Sequence, residues 1–241
     1  TEPWKLTLLG PKGETPTLTP RLAKYRGASL GEDGRSLVFE WTIFLENEDK
    51  WPVRAIVRLP EAGSELSQWS LSAQLPKGWV ISQLEYPCIS VSRHEGSKGI
   101  MSVGYGAEYP LGDSGMISST YPSCTGAMQL ILSHSPKGCF YLSADDRNGG
   151  AKWLQIRCSS SALTFVQKLD TSFGWTDAKG NFELPWNALF GFNPGTWEET
   201  VLRWYRPFAL SCRWGEKSIL ERYITPWMLD ADVWIRPQDV N

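Results

Sequence analysis

Between residues 36 and 170 apolar side chains recur at every second position. Leu37, Phe39, Trp41, Ile43 and Leu45 alternate with mainly polar neighbours; Val53, Ala55, Val57 and Leu59 stand against Arg54 and Arg58; Trp69, Leu71, Ala73 and Leu75 stand against Gln68, Ser70, Ser72 and Gln74. Successive side chains on a strand point to opposite faces, so this period of two predicts strands with one face buried. Further runs at 79–85, 99–105, 128–133, 139–144, 153–158 and 163–169 are divided by turn chemistry such as Pro76-Lys77-Gly78, Pro136-Lys137-Gly138 and Asn148-Gly149-Gly150. About ten antiparallel strands joined by short loops predict an all-β chain, and their number favours a large two-sheet sandwich over an immunoglobulin-sized one.

The pattern changes near residue 190. Thr196 with Glu199 three positions on makes a capping box, and Trp197, Val201, Trp204, Tyr205, Phe208 and Cys212 then recur at roughly helical spacing. Pro207 would remove a hydrogen bond and clash with the preceding turn, so the helix is expected to kink or end there. Gly215-Glu216-Lys217 closes the segment, and the residues after it read as extended. The expected organisation is a β-domain over 1–190, a connector helix over 191–215 and an extended tail over 216–241.

Composition narrows the class. A net charge of −2 supplies no basic field for nucleic acid, and no apolar run approaches the roughly 18 residues of a membrane span. The five cysteines at 88, 124, 139, 158 and 212 show neither CxxC nor His-rich metal spacing. They read as mostly free, buried thiols that pack as small hydrophobes. Neither a metal nor a cofactor is expected, although oxygen ligands for a structural Ca2+ are conceivable at the Asp145-Asp146 loop. The chain opens on Thr1 without a signal-like apolar region, as a processed form or an excised piece would.

Thirteen tryptophans bear on function, because an indole face stacks on the C–H face of a sugar as readily as it fills a core. Trp41 and Trp69 lie on the apolar phase of their strands and read as core. Trp51, Trp79, Trp153, Trp175 and Trp186 lie at turns or strand ends, where packing and groove-lining are both open. The densest polar cluster is Asp145-Asp146-Arg147-Asn148-Gly149-Gly150 followed by Lys152-Trp153. It reads either as a sugar-binding loop with Trp153 as a stacking wall or as a hairpin whose Asp and Asn satisfy turn amides.

Tyr121-Pro122, Met128-Gln129, the strand Gly138-Cys139-Phe140-Tyr141-Leu142, Asp145-Asp146, Lys152, and the helix from Trp197 to Arg206 together resemble a bacterial glycoside hydrolase group. In that group a β-supersandwich, similar to galactose mutarotase, precedes a (β/α)8 catalytic barrel. The helix echoes the group's W-x(5–6)-Y-R pattern, and Pro226-Trp227 with Leu229 to Ile235 would correspond to the entry into the barrel. The resemblance implies a secreted or periplasmic bacterial protein, a polysaccharide-degrading parent, and a barrel partner in cis. It further implies a non-catalytic role in which the sandwich supports the barrel and contacts carbohydrate. The candidate sugar-binding residues are Asp145, Asp146, Lys152 and Trp153, and the candidate interdomain surface is Trp197, Tyr205, Trp227 and Trp234.

Catalysis within the chain has little to rest on. A glycosidase needs two carboxylates about 5–9.5 Å apart across the bond, and Glu85, Glu95, Glu108, Asp113, Asp145 and Asp146 offer no motif that selects two. A mutarotase-like acid and base could come from His94 with Glu95, or from His134. Gly112-Asp113-Ser114-Gly115 lacks the Gly-x-Ser-x-Gly frame of a nucleophile elbow. An independent carbohydrate-binding module and a sugar epimerase or glycosidase acting by itself remain the alternatives.

Overall fold

A computed structural model describes residues 2–45, 49–60, 65–102, 106–123, 126–171 and 175–217. Their sixteen strands, numbered in chain order, form two antiparallel sheets. The six-stranded sheet runs β10 (Gly115–Tyr121), β13 (Lys152–Cys158), β14 (Ala162–Asp170), β7 (Val80–Ser92), β1 (Lys5–Leu9), β2 (Thr17–Leu18). The ten-stranded sheet runs β3 (Lys24–Leu30), β4 (Ser36–Leu45), β5 (Asp49–Arg58), β6 (Ser67–Gln74), β16 (Ala188–Asn193), β12 (Gly138–Ala144), β11 (Leu130–Ser135), β8 (Lys98–Met101), β9 (Ala107–Pro110), with β15 (Asn181–Glu183) also paired to β6. The large two-sheet β-sandwich expected from the period of two is therefore the fold.

The core lies between the sheets. Trp41, Ile43 and Leu45 of β4, Val53 and Ala55 of β5, and Leu71 and Ala73 of β6 meet Leu6 and Leu8 of β1 and Ile81 and Leu84 of β7. Trp4 packs edge-on to Trp41 with ring centroids 5.7 Å apart. A second cluster joins Leu142 and Phe140 of β12 to Leu154, Ile156, Leu163 and Phe165 of β13 and β14. These are the apolar phases of the alternating runs, so burial of one phase fixes the register of each strand. Trp41 is core, as its phase predicts; Trp69 is half-buried and packs against both clusters.

The last strand carries the sandwich to Asn193, slightly beyond residue 190. After it comes the helix, whose cap has the expected form: the Glu199 amide donates to the Thr196 hydroxyl, and the Glu199 carboxylate accepts from the Thr196 amide. The helix starts as an α-turn at Trp197–Thr200, widens to a π-helical stretch at Val201–Tyr205, and resumes as an α-helix at Arg206–Ser211. Of the two outcomes expected at Pro207, an end to the helix is corrected: the helix continues through it to Ser211. The Arg206 amide bonds five residues back to the Val201 carbonyl, and Pro207 falls in the first turn of the next α segment, where its missing N–H is tolerated.

Trp197, Val201, Trp204, Tyr205 and Phe208 turn inward onto Ile100, Leu130, Leu132, Cys139 and Tyr141. The helix thus covers the outer face of β8, β11 and β12. The outer face of β4, β5 and β6 carries no such cover among the described residues. Four cysteines, Cys88, Cys139, Cys158 and Cys212, are free thiols; Cys124 lies outside the described residues.

Candidate functional site

The polar loop between β12 and β13 folds around Asp146. One carboxylate oxygen, Oδ1, accepts the Asn148 amide at 2.9 Å and the Gly149 amide at 3.2 Å; Oδ2 accepts the Gly150 amide at 2.6 Å. This is the Asx chemistry by which a short acid organises its own turn. Lys152 then enters β13 with its side chain directed inward. Its ammonium donates to Asp146 Oδ2 at 2.7 Å, to Gln129 Oε1 at 2.7 Å and to the Gly150 carbonyl at 2.6 Å.

The pair is sealed off: Asp146 is 3% exposed, Lys152 and Gln129 0%. Lys152 Nζ lies 4.2 Å from the centroid of the Trp186 ring and 5.0 Å from that of Tyr121, two aromatic faces that stabilise a desolvated cation. Burial pushes the ammonium pKa down to about 8, and the Asp146 carboxylate pulls the other way. A side chain at Gly150 would displace its neighbours, since a Cβ there would sit 2.9 Å from the Trp186 ring and 3.1 Å from Asp146 Oδ2.

Gln129 ties this knot to the helix. Its side-chain amide donates to the Asp146 carbonyl at 2.8 Å, and its backbone amide donates to the Tyr205 hydroxyl at 3.0 Å. Trp186 continues the chain of contacts by donating to Gln167 Oε1 at 3.2 Å, and Gln167 donates to the Tyr86 carbonyl at 3.2 Å. Tyr121, Gln129, Asp146, Lys152 and Tyr205, scattered along the sequence in the resemblance, converge at this one place. What the motif elements share is a buried hydrogen-bonded knot joining the loop, the sandwich and the helix.

The four candidate sugar-binding residues do not form one surface. Lys152 and Trp153 are consecutive on β13 and so point to opposite sides of the sheet. Trp153 stands half-exposed on the outer face of the six-stranded sheet, with Lys168 Nζ 5.8 Å from its ring centroid. Asp145 is half-buried beside Asp146, and burial raises the pKa of its carboxyl group. Of the candidate interface residues, Tyr205 is buried and Trp197 half-buried against the sheet; Trp227 and Trp234 lie outside the described residues.

The remaining carboxylates are mostly paired with cations. Glu85 accepts from Arg157 at 2.8 Å and Glu108 from Lys98 at 2.7 Å, and Asp113 pairs with Arg93. The turn at Gly112–Gly115 is fastened by that last pair and leads into β10. The His94 ring stacks on Phe140 at a centroid distance of 6.4 Å, and the His94 carbonyl accepts the Ser97 hydroxyl at 2.6 Å. His134 lies within β11, opposite Lys98 and Cys139. No cluster of three or more metal-binding side chains occurs among the described residues.

No protein-family model matches the chain. Along its full length it aligns, at 42% identity over 243 residues, with a protein of Bacteroides thetaiotaomicron described as "Putative glycoside hydrolase", and it spans 36% of that relative's length. The chain is similar to one part of a glycoside hydrolase. The resemblance read from its motifs is thereby borne out at the level of one part of a larger glycoside hydrolase. Among solved structures, two of the alpha-N-acetylgalactosaminidase NagBb from Bifidobacterium bifidum, a quadruple mutant and a GalNAc complex, share the fold at a TM-score of 0.62. They are 10% and 11% identical to it, and the match covers 86% of this chain and 33% of theirs. In both comparisons the sandwich is a fraction of a larger protein. No helix among the described residues is long and apolar enough to cross a membrane.

Proposed function

We propose that this chain acts as a non-catalytic β-sandwich domain of a glycoside hydrolase, supporting a catalytic domain in the same polypeptide. The observation that carries the reading is the match of the whole chain to about a third of a larger glycoside hydrolase. The chemistry of the site agrees with it. The loop carboxylate with the strongest candidacy, Asp146, is enclosed and committed to Lys152 and three backbone amides, which suits holding a loop and a helix in place rather than meeting a substrate. The helix pinned by Tyr205 is the natural lever to a neighbouring domain, for which the resemblance implies a (β/α)8 barrel. A glycan-degrading parent of this type would work outside the cytoplasm, secreted or periplasmic.

The longer protein provides the test. Weakening the knot with Lys152→Met should lower the temperature at which glycoside hydrolysis is lost, while kcat well below that temperature stays at the wild-type value. If substitution of a carboxylate of this sandwich, such as Asp145→Asn or Glu95→Gln, abolishes turnover at every temperature in a folded protein, catalysis resides here and the proposal fails.

A further inference from the structure

The outer face of the ten-stranded sheet is divided in two. Its β8–β11–β12 half lies under the helix, whereas its β4–β5–β6–β15 half holds a depression of about 560 Å³. The strand register explains what lines it. Glu40 pairs with Arg54, Arg54 with Ser72, and Ser72 with Glu183, so four polar side chains stand in one row across four neighbouring strands. At about 4.8 Å between strands the row spans roughly 14 Å. Gln74 flanks it on β6, and Trp175, edge-on to Trp186 with ring centroids 5.3 Å apart, also lines the depression.

We propose that this row is a binding site for a neutral oligosaccharide, an assignment of ligand class that rests on the glycoside hydrolase reading above. The row offers acceptors and donors in alternation: a carboxylate, a guanidinium, a hydroxyl and a second carboxylate, with an amide beside them. A polyhydroxylated chain presents the same mixture in return. These groups are also available. The Glu40–Arg54 contact is 3.8 Å long, with 57% and 49% of the two side chains exposed, and the side chains of Ser72, Gln74 and Glu183 have no hydrogen-bond partner among the described residues. The half-buried Trp175 indole, which otherwise packs on the core and edge-on to Trp186, adds an apolar border to the depression.

The geometry disfavours other ligands. Three carboxylates in the lining, Glu40, Asp177 and Glu183, against one guanidinium repel an anion such as a phosphate or an acidic glycan. Glu40 and Glu183 lie three strand spacings apart, too far to share a metal ion, and the Asp177 carboxylate is taken up by the Lys179 amide and the Asn181 backbone and side-chain amides. Most of the row lies on a sheet face, and the outer side of β15 where it ends is bridged by Thr176 to Phe182, so an added peptide strand finds few backbone groups to pair with. The open, shallow form fits a segment of chain rather than an enclosed monosaccharide.

The test is calorimetry and affinity electrophoresis of the full 241-residue chain with neutral β-glucan, xylan, galactan and mannan oligosaccharides of four to six units. Binding should be detected with at least one of them, with Kd raised tenfold or more by Arg54→Ala and by Glu183→Ala, unchanged thermal unfolding in both variants, and no change in Kd for Trp153→Ala. Failure of every oligosaccharide to bind, or binding indifferent to Arg54→Ala and Glu183→Ala, overturns the assignment. Hydrolysis by the longer protein is scored separately, so loss of that activity reading and loss of this site are distinguishable.

Discussion

Two places in this sandwich use the same chemical vocabulary to opposite ends. In the knot, Asp146 and Lys152 are fully desolvated, 2.7 Å apart, with further oxygen and amide partners supplied by Gln129, Gly150, Asn148 and Gly149. In the row on the far half of the ten-stranded sheet, Glu40 and Arg54 are about half exposed, 3.8 Å apart, and open to solvent. A buried charge must be paired and hydrogen-bonded or it is strongly destabilising. An exposed pair contributes about 0–1 kcal/mol and can exchange its partner for a ligand at little cost. Burial, not residue type, separates the structural acid–base pair from the one able to bind.

The largest effect that can break this contrast is Lys152→Met. It strands the Asp146 carboxylate in a dry site, and denaturant unfolding should show a loss of about 3–5 kcal/mol. Pairing it with Asp146→Asn should recover part of that loss, because the charge left behind is then gone. Gly150→Ala comes next, costing about 1–3 kcal/mol as the new methyl forces Trp186 and Asp146 apart. Tyr205→Phe should cost about 1–3 kcal/mol by leaving the buried Gln129 amide without an acceptor, and should loosen the helix, read as faster amide exchange along Trp197–Ser211. Arg54→Ala should change stability by no more than about 0.5 kcal/mol.

A smaller effect sharpens the comparison from a third place. Burial raises the pKa of Glu85, but the hydrogen bond and charge of Arg157, with Lys5 and Lys168, outweigh it and hold the carboxyl below its ordinary value. A carboxyl with a depressed folded pKa stabilises above the unfolded-state value and loses that contribution as pH falls through the folded one. Stability of the wild type should therefore fall more steeply on acidification below about pH 5 than that of Glu85→Gln, measured by urea unfolding across the acid range.

Much of the fold was legible in the chain. Strands β4, β5 and β6 announce themselves because one face is buried and the other wet, and the helix because its cap and inward residues follow a single period. Strand β3 was silent: its side chains are almost all exposed at a sheet edge, so no apolar phase marks it. Strand β10 was hidden in the same way by Ser118, Ser119 and Thr120, and of β7 only the part within 79–85 was legible, the thirteen-residue strand continuing through Tyr86-Pro87 to Ser92. The loop acids were visible as a cluster, but their burial was not, since it depends on Gln129 and Trp186 arriving from elsewhere in the chain. The row of Glu40, Arg54, Ser72 and Glu183 was out of reach for the same reason. Each residue alone is the polar phase of a half-buried strand, and only the cross-strand register lines them up.

The central claim is that this domain holds structure and leaves bond cleavage to another part of its parent. Release of nitrophenol by the purified 241-residue chain from a broad panel of α- and β-linked nitrophenyl glycosides tests it most directly. The account predicts no release above the buffer rate with any of them. Turnover that disappears when Asp145, Glu95 or another carboxylate of this chain is replaced would contradict it.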